Sequence, residues 1–329
     1  LEKVYSETTD SVYDEDFFKF TCTKHGYFQV NLKHNGADGS DVGNGWCVKV
    51  LDQQGNEITS GSYIETSWTS VVIPYAEAGR VFYVQVTAQS GIIPPVGCMY
   101  DLTVNQTGAS DWELESNDTR AEANTIETNK TYHGITINGN DVDVFQFKTS
   151  VHGYFQIQFG QSAADGNDSR NGWEINVLDE KGEVITTGSY IEKNWSSMIL
   201  PYAKAGRTFY VQVMPQSGII PPVDCLYDLT VKQTATAAWE SEPDGSMKTA
   251  AAIKAGKTYS GITETSNDED YFKLSIPASG KLKIRFSSHN SNPSGDVGQG
   301  WNVAIYDRKS NEVTRMQGVK TADSVSFDG

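Results

Sequence analysis

His25-Gly26-Tyr27-Phe28-Gln29 returns letter for letter as His152-Gly153-Tyr154-Phe155-Gln156. Trp46 returns as Trp173, Trp68 as Trp195, and Gln89 to Val96 as Gln216 to Val223. The offset is 127 residues throughout (His25 to His152, for one), so two copies align without a gap. A third copy maps Trp112 to Trp239, Tyr132 to Tyr259 and Asp141 to Asp268, gains one residue before Gly300-Trp301 and runs to Gly329. The alignment divides the chain at 1–108, 109–235 and 236–329: a first repeat lacking its N-terminal segment, a complete second, and a third lacking its last strands. A chain that opens in mid-repeat at Leu1, without Met or a signal-like apolar stretch, reads as a mature or excised piece of a longer array.

Each copy has the texture of β structure. Phe17–Cys22, Tyr27–Leu32, Trp46–Leu51, Ser70–Tyr75, Val81–Thr87 and Tyr100–Val104 are short and rich in aromatic and β-branched residues. In Val81–Val86 the polar Gln85 falls on the face opposite Val84 and Val86, the period-two signature of a half-buried strand. Clusters such as Asn35-Gly36-Ala37-Asp38 and Gln53-Gln54-Gly55-Asn56 supply the turns. Roughly seven or eight such strands per copy predict an all-β chain of tandem antiparallel, jelly-roll-like β-sandwiches. Only Met247–Ile253 and its counterpart Arg120–Ala123 read as helical turns.

Composition narrows the function. Lys+Arg 26 against Asp+Glu 42 leaves a net charge of −16, which repels phosphate backbones and anionic membrane surfaces. Nucleic-acid partners are therefore disfavoured. No apolar run approaches the ~18 residues a membrane helix needs, so no membrane insertion is expected. With 38% hydrophobic and 11% aromatic residues the chain has the material for packed cores, which argues against disorder.

The join between copies is acidic: Trp112-Glu113-Leu114-Glu115-Ser116-Asn117-Asp118-Thr119, then Asn140-Asp141-Val142-Asp143. In an extended segment Glu113, Glu115 and Asn117 fall on one side, and Asp141 and Asp143 at a strand start can close the other half. Calcium takes six to eight oxygens, usually several carboxylates with an amide or carbonyl. Like charges gathered without a cation repel one another. Spacing alone leaves this segment open between a calcium site and a solvated acidic linker.

At these residues the chain resembles the bacterial pre-peptidase C-terminal (PPC) domain, and it is similar to the related collagen-binding domain of clostridial collagenases. The likeness rests on Glu-x-Glu-x-Asn-Asp-Thr from Glu113, the Ala123 and Ile126 stretch, Gly134-Ile135, Asp141-x-Asp143-x-Phe145-x-Phe147 and the His152-Gly-Tyr-Phe strand. It covers about Trp112 to Val231, most of the third repeat, and the first without its acidic segment. The resemblance implies a non-catalytic, secreted jelly-roll sandwich stabilised by calcium, with Glu113, Glu115, Asn117, Asp118, Asp141 and Asp143 as ligands. In the third repeat it points to Glu240, Glu242, Asp244, Asp268 and Asp270. There Gly245 replaces the counterpart of Asp118 and Pro243 precedes Asp244, so a weaker site is expected. The first repeat keeps Asp14 and Asp16 without linker acids and is expected to bind calcium poorly.

Cys22 and Cys47 occur only in the first repeat, with Thr149 and Glu174 in their places in the second. Two cysteines present together and absent together suggest a disulfide between a strand end and a strand start, and with it an oxidising compartment. Two buried free thiols are the alternative. Cys98 and Cys225, at matching positions, are either small buried side chains or exposed thiols able to link chains. Five scattered histidines, and the lack of a nucleophile elbow, phosphate loop or Cys-x-x-Cys, predict no zinc and no catalysis. The loops Asp38–Asp41 and Asp165–Asp168 read either as turns or as second cation sites.

Two near-identical features are candidate contact surfaces: Tyr63 with Trp68, returning as Tyr190 with Trp195, and the loop carrying Ile92 and Ile93, returning with Ile219 and Ile220. Recent duplication and core packing are the alternative explanations. These readings together predict a non-catalytic, calcium-stiffened repeat array of a secreted or cell-surface bacterial protein, serving as a structural or adhesive stalk or a self-assembling fibre. Its partners would be neighbouring repeats, identical chains or an extracellular polymer, protein or polysaccharide. The alternative is a substrate-targeting module, for collagen, peptide or polysaccharide, of a secreted peptidase or glycan-degrading enzyme.

Overall fold

A computed structural model describes residues 3–36, 45–89, 95–162, 172–217, 221–265, 267–288 and 300–328. The Asp38–Asp41 and Asp165–Asp168 loops, and Ile92, Ile93, Ile219 and Ile220, lie outside the described residues. The chain forms two compact units, 1–245 with 259–270, and 246–258 with 271–329.

The first repeat contributes β1 (Tyr5–Thr8), β2 (Glu15–Thr21), β3 (Gly26–His34), β4 (Trp46–Leu51), β5 (Glu57–Ile64), β6 (Ser67–Thr69), β7 (Ile73–Ala76), β8 (Val81–Ala88) and β9 (Met99–Gly108). One sheet runs β1-β9-β3-β6 with β7 also on β3, and the other runs β2-β8-β4-β5. The second repeat is built from β10 (Asn124–Ile126), β11 (Thr131–Thr136), β12 (Asp143–Lys148), β13 (Gly153–Gln161), β14 (Trp173–Leu178), β15 (Val184–Ile191), β16 (Asn194–Ser196), β17 (Leu200–Ala203), β18 (Thr208–Pro215) and β19 (Cys225–Ala235). Its sheets, β11-β19-β13-β16 with β17 on β13 and β10-β12-β18-β14-β15, copy the first repeat's with one parallel strand, β10, added.

The period-two pattern explains which faces meet. In β3 and β13 alternate residues (Phe28, Val30, Leu32; Phe155, Ile157, Phe159) are buried, and the intervening ones are not. They pack on Trp46 and Trp173, each fully buried. An indole N–H taken from water needs an acceptor, and a threonine hydroxyl provides it: Thr9 at 2.8 Å and Thr136 at 3.1 Å. The all-β expectation therefore holds, as tandem sandwiches each with its own core. Among the described residues no helix is long and apolar enough to cross a membrane.

Details differ from the sequence pattern. The expected Ser70–Tyr75 strand starts only at Ile73, and β1, β5 and β6 form where no strand was expected. The helical readings reduce to single turns at Arg120–Glu122 and Met247–Thr249; Ala251–Ile253 is a strand, β20, paired parallel with β21 (Phe272–Leu274). Three alanines in a row suit a helix intrinsically, but pairing with a neighbouring strand overrides propensity.

The third repeat continues with β22 (Lys281–Ser287), β23 (Trp301–Tyr306), β24 (Glu312–Val319) and β25 (Ala322–Asp328), as pairs β22-β25 and β23-β24. In the second repeat β18 and β19 are the strands that join the others, β18 between β12 and β14, β19 between β11 and β13. Among the described residues of the third repeat the strands form these pairs, and β22 is half-buried on its apolar face.

The expected Cys22–Cys47 disulfide is corrected. Both cysteines are free. β8 lies between β2 and β4 and is antiparallel to each, so β2 and β4 run parallel. The end of one and the start of the other then sit at opposite ends of the sheet: Cys22 bonds the backbone of Arg80, whereas Cys47 pairs with Thr87. Seven residues of strand separate those positions, about 23 Å, against the roughly 4.4–6.8 Å a disulfide spans between Cα atoms. Cys22 packs into the core, where burial pushes its thiol up to about 11, and the Cys47 thiol donates to Gln89 Oε1 at 2.7 Å. Cys98 and Cys225 are fully buried core side chains. Thiol titration of protein unfolded without reductant is expected to count four cysteines; a count of two would restore the bridge.

Candidate metal centres at the repeat joints

The linker Trp112–Asn117 lies alongside β11. Trp112 forms a bridge with His133, the Glu113 N–H donates to the His133 carbonyl at 2.9 Å, and the His133 N–H donates to the Asp111 carbonyl at 2.8 Å. Extended backbone makes side chains alternate, so Glu113, Glu115 and Asn117 turn inward, at 1%, 3% and 0% exposure, while Ser116 faces solvent. At the start of β12, Asp143 is fully buried and Asp141 nearly so. One carboxylate oxygen each from Glu113, Glu115 and Asp143 lies within 4.8 Å of the other two. Asp118 is exposed beside this group.

The cluster's hydrogen bonds account for only part of its oxygens. Glu113 accepts from the Ile135 N–H (2.7 Å), Glu115 from the Asn117 N–H (3.1 Å) and Asp141 from the Ile137 N–H (2.6 Å). The Tyr227 hydroxyl lies 3.0 Å from Glu113 and 2.6 Å from Asp143, yet a phenol has one proton to give. Glu115 Oε1, Asn117 Oδ1 and Asp143 Oδ1 are buried without a hydrogen-bond partner. Burial, followed by the neighbouring carboxylates, raises Glu113 and Asp143 well above the usual carboxylate range; the same causes push Glu115 up to about 8. Burial raises Asp141 to about 6. Orphaned inward oxygens, all from carboxylates and an amide, fit a hard divalent cation.

The second joint repeats the design 127 residues on. Ile262 N–H donates to Glu240 (2.5 Å), Asp244 N–H to Glu242 (3.0 Å) and Glu264 N–H to Asp268 (2.7 Å). Glu242, Asp268 and Asp270 bring oxygens within 4.8 Å of one another, and Glu240 and Asp244 are fully buried. Glu240 Oε2, Glu242 Oε1, Asp270 Oδ1 and both Asp244 oxygens lack partners. Burial is again the first cause raising Glu240 to about 9 and Asp244 to about 8. The first repeat carries half of this arrangement: Asp14 accepts from the Asp10 N–H, and Asp16 from the Tyr100 hydroxyl at 2.5 Å.

Each cluster is also gripped by the preceding repeat. Pro74 O accepts from the Glu115 N–H at 3.0 Å, the Arg80 guanidinium donates to the Glu115 carbonyl, and Tyr27 packs on Trp112 with ring centroids 4.6 Å apart. At the next joint Pro201, Arg207 and Tyr154 do the same to Glu242 and Trp239. Sequence reasoning missed these grips, and it missed Tyr227 and Asn124. Asn124 closes the linker by bonding Leu114 twice and takes a hydrogen bond from the Asn117 amide at 3.2 Å, leaving Asn117 Oδ1 free. A signal existed: where Asp244 replaces Asn117, Ala251 replaces Asn124.

The proposed contact residues divide. Trp68 and Trp195 pack partly against their own cores, whereas Tyr63 and Tyr190 are 66% and 70% exposed.

No family model and no curated protein matches the chain. Among solved structures it is similar to the pre-peptidase C-terminal domain of collagenase from Bacillus anthracis, at 18% identity and a TM-score of 0.25, over 33% of this chain and 94% of that one. It is also similar to the CUB1-EGF-CUB2 region of human MASP-1/3, at 6% identity and a TM-score of 0.20, over 69% of this chain and 99% of that one. A third likeness is to the M60 catalytic domain with CBM51-1 and CBM51-2 of Clostridium perfringens ZmpB, at 8% identity and a TM-score of 0.24, over 67% of this chain and 34% of that one. At such low TM-scores none of them carries function to this chain.

Glu115 titrates at 4.5 when free and at about 8 when folded, so without a cation the folded chain holds more protons than the unfolded one between those values. Its contribution to stability is therefore present at low pH and lost as pH rises through that window. In EDTA the melting temperature is expected to fall between pH 5 and pH 8, and Glu115→Gln to flatten that slope.

Proposed function

We propose that the chain is a segment of a non-catalytic, secreted or cell-surface bacterial array of β-sandwich repeats, stiffened by calcium at its joints and serving as a structural or adhesive stalk. The observation that carries this reading is the double hold on Glu115: its backbone is bonded by the preceding repeat, and its side chain enters a buried cluster whose oxygens lack donors. Calcium suits that cluster better than its competitors. Zinc prefers histidine and cysteine ligands, and magnesium demands strict octahedral geometry and keeps several waters. A cation on Glu113, Glu115, Asn117, Asp141 and Asp143 would cancel their mutual repulsion and lock the linker against β12. The joint would then resist bending, because the same linker is anchored to both repeats.

One observation favours the alternative of a substrate-targeting module. Tyr63 and Tyr190 both sit at φ 54°, a left-handed conformation costing a non-glycine residue about 1–2 kcal/mol. Allowing for the inserted residue, the third repeat has Gly318 at this position, with φ 63°. Exposed tyrosines held at a strained position, where glycine serves elsewhere, support a role in contacting an extracellular polymer.

Thermal unfolding against calcium, with EDTA as the zero point, tests the main reading. A ligand confined to the folded state stabilises it by RT ln(1 + [L]/Kd), about 2.7 kcal/mol at a hundredfold over Kd. A calcium-dependent rise that Glu115→Ala reduces is expected; a flat response would leave the acids as a solvated linker. For the alternative, Tyr63→Gly is expected to keep or raise stability, by up to about 1 kcal/mol, while lowering retention on an immobilised extracellular polymer such as collagen.

A further inference from the structure

The two joints differ in a way the linker pattern alone does not show. Three of the substitutions between them bear directly on the charge around the cluster: Asn117 becomes Asp244, Asp118 becomes Gly245, and Ile137 becomes Glu264. The second exchange removes a carboxylate from the exposed rim. Of the other two, Asp244 adds a carboxylate on the inside and Glu264 adds a half-buried one. Asp244 is fully buried, and neither of its oxygens has a hydrogen-bond partner. Glu264 Oε2 accepts from the Tyr202 hydroxyl at 2.8 Å, and its backbone N–H holds Asp268, one of the three residues whose oxygens converge. Glu264 Oε1 is buried and unpartnered, and its charge acts on Glu242, Asp268 and Asp270. Burial and the facing Glu264 hold the Tyr202 phenol far above its ordinary range, so it stays protonated and donates.

From this we infer that the second joint is the tighter of the two cation sites, and that Glu264, positioned by Tyr202 of the preceding repeat, is the residue that makes it so. The inference rests on the calcium reading given above and reverses the ranking that Gly245 suggests. Affinity in all-oxygen sites rises with the number of charged ligands and with rigidity. The second cluster has six carboxylates, Glu240, Glu242, Asp244, Glu264, Asp268 and Asp270. The first has four inside, Glu113, Glu115, Asp141 and Asp143, and a fifth, Asp118, on its exposed rim, where its charge acts on Glu115 and Asp141. Tyr202 belongs to the repeat before the site, so loading this cluster also fastens the two repeats together through Glu264. At the first joint Tyr75 and Ile137 stand at the corresponding positions, and an isoleucine side chain cannot accept the phenol's hydrogen bond. As calcium rises, the second joint would stiffen before the first.

Calcium titration of the whole chain by competition with a chromophoric chelator tests this. The wild-type protein is expected to show two sites at least about tenfold apart in Kd. Glu264→Gln should weaken the tighter site by about tenfold or more and leave the weaker one in place. Glu115→Gln should remove only the weaker site. Tyr202→Phe should weaken the tighter site by a smaller factor. Glu264→Ile, which installs the residue the second repeat already carries there, guards against misfolding and should act as Glu264→Gln does. If both constants survive Glu264→Gln and Glu264→Ile unchanged, or if the weaker site is the one that responds, the inference is overturned while the calcium reading stands. If the wild-type protein binds no calcium, both fall.

Discussion

Carboxylates brought together out of water are the most demanding arrangement in this chain, and the joints are organised around them. Each buried charge loses hydration worth several kcal/mol, and each neighbour of like sign adds repulsion at short range. The backbone N–H groups of Ile135, Asn117 and Ile137 meet part of that demand, and the Tyr227 hydroxyl meets a little more. What remains is a set of inward oxygens with no donor. Protons or a cation can neutralise them, and the two leave opposite marks on the pH dependence of stability.

Because the cluster is made by a linker, its state bears on more than one sandwich. Glu115 and Glu242 each present a side chain to the repeat that follows and a backbone to the repeat that precedes. Rings packed at 4.6 and 4.8 Å, Tyr27 on Trp112 and Tyr154 on Trp239, bury the apolar part of each joint. Each linker thus carries both polar and aromatic contacts to the repeat before it.

Part of this was legible in the sequence. An exact 127-residue offset announced duplication, and alternation in Tyr27–Leu32 and Val81–Val86 announced half-buried strands. Alternation in Glu113-Leu114-Glu115-Ser116-Asn117 also placed the acids on one side, as found. Tyr227 was not legible, since it reaches the linker from 114 residues away and nothing local marks it, and Asn124, 10 residues on, was marked only by changing to Ala251 where Asn117 changes to Asp244. The cysteine pair misled for the same kind of reason: co-occurrence says that two residues differ together between copies, not that they are adjacent. Strand order decides adjacency, and β8 lies between their strands.

The sequence by itself determined the all-β class, the tandem repeat and the acidic inner face of the linker, because each follows from periodicity, which acts between near neighbours in the chain. Only the tertiary structure decided which strand lies beside which, and with that three things: Cys22 and Cys47 are far apart, Arg80 and Pro74 hold the next repeat's glutamate, and Tyr202 meets Glu264. Hydrogen-bonded sheet pairing brings together residues separated by dozens of positions, and that pairing is settled by the packing of whole faces against one another rather than by any stretch of residues read alone.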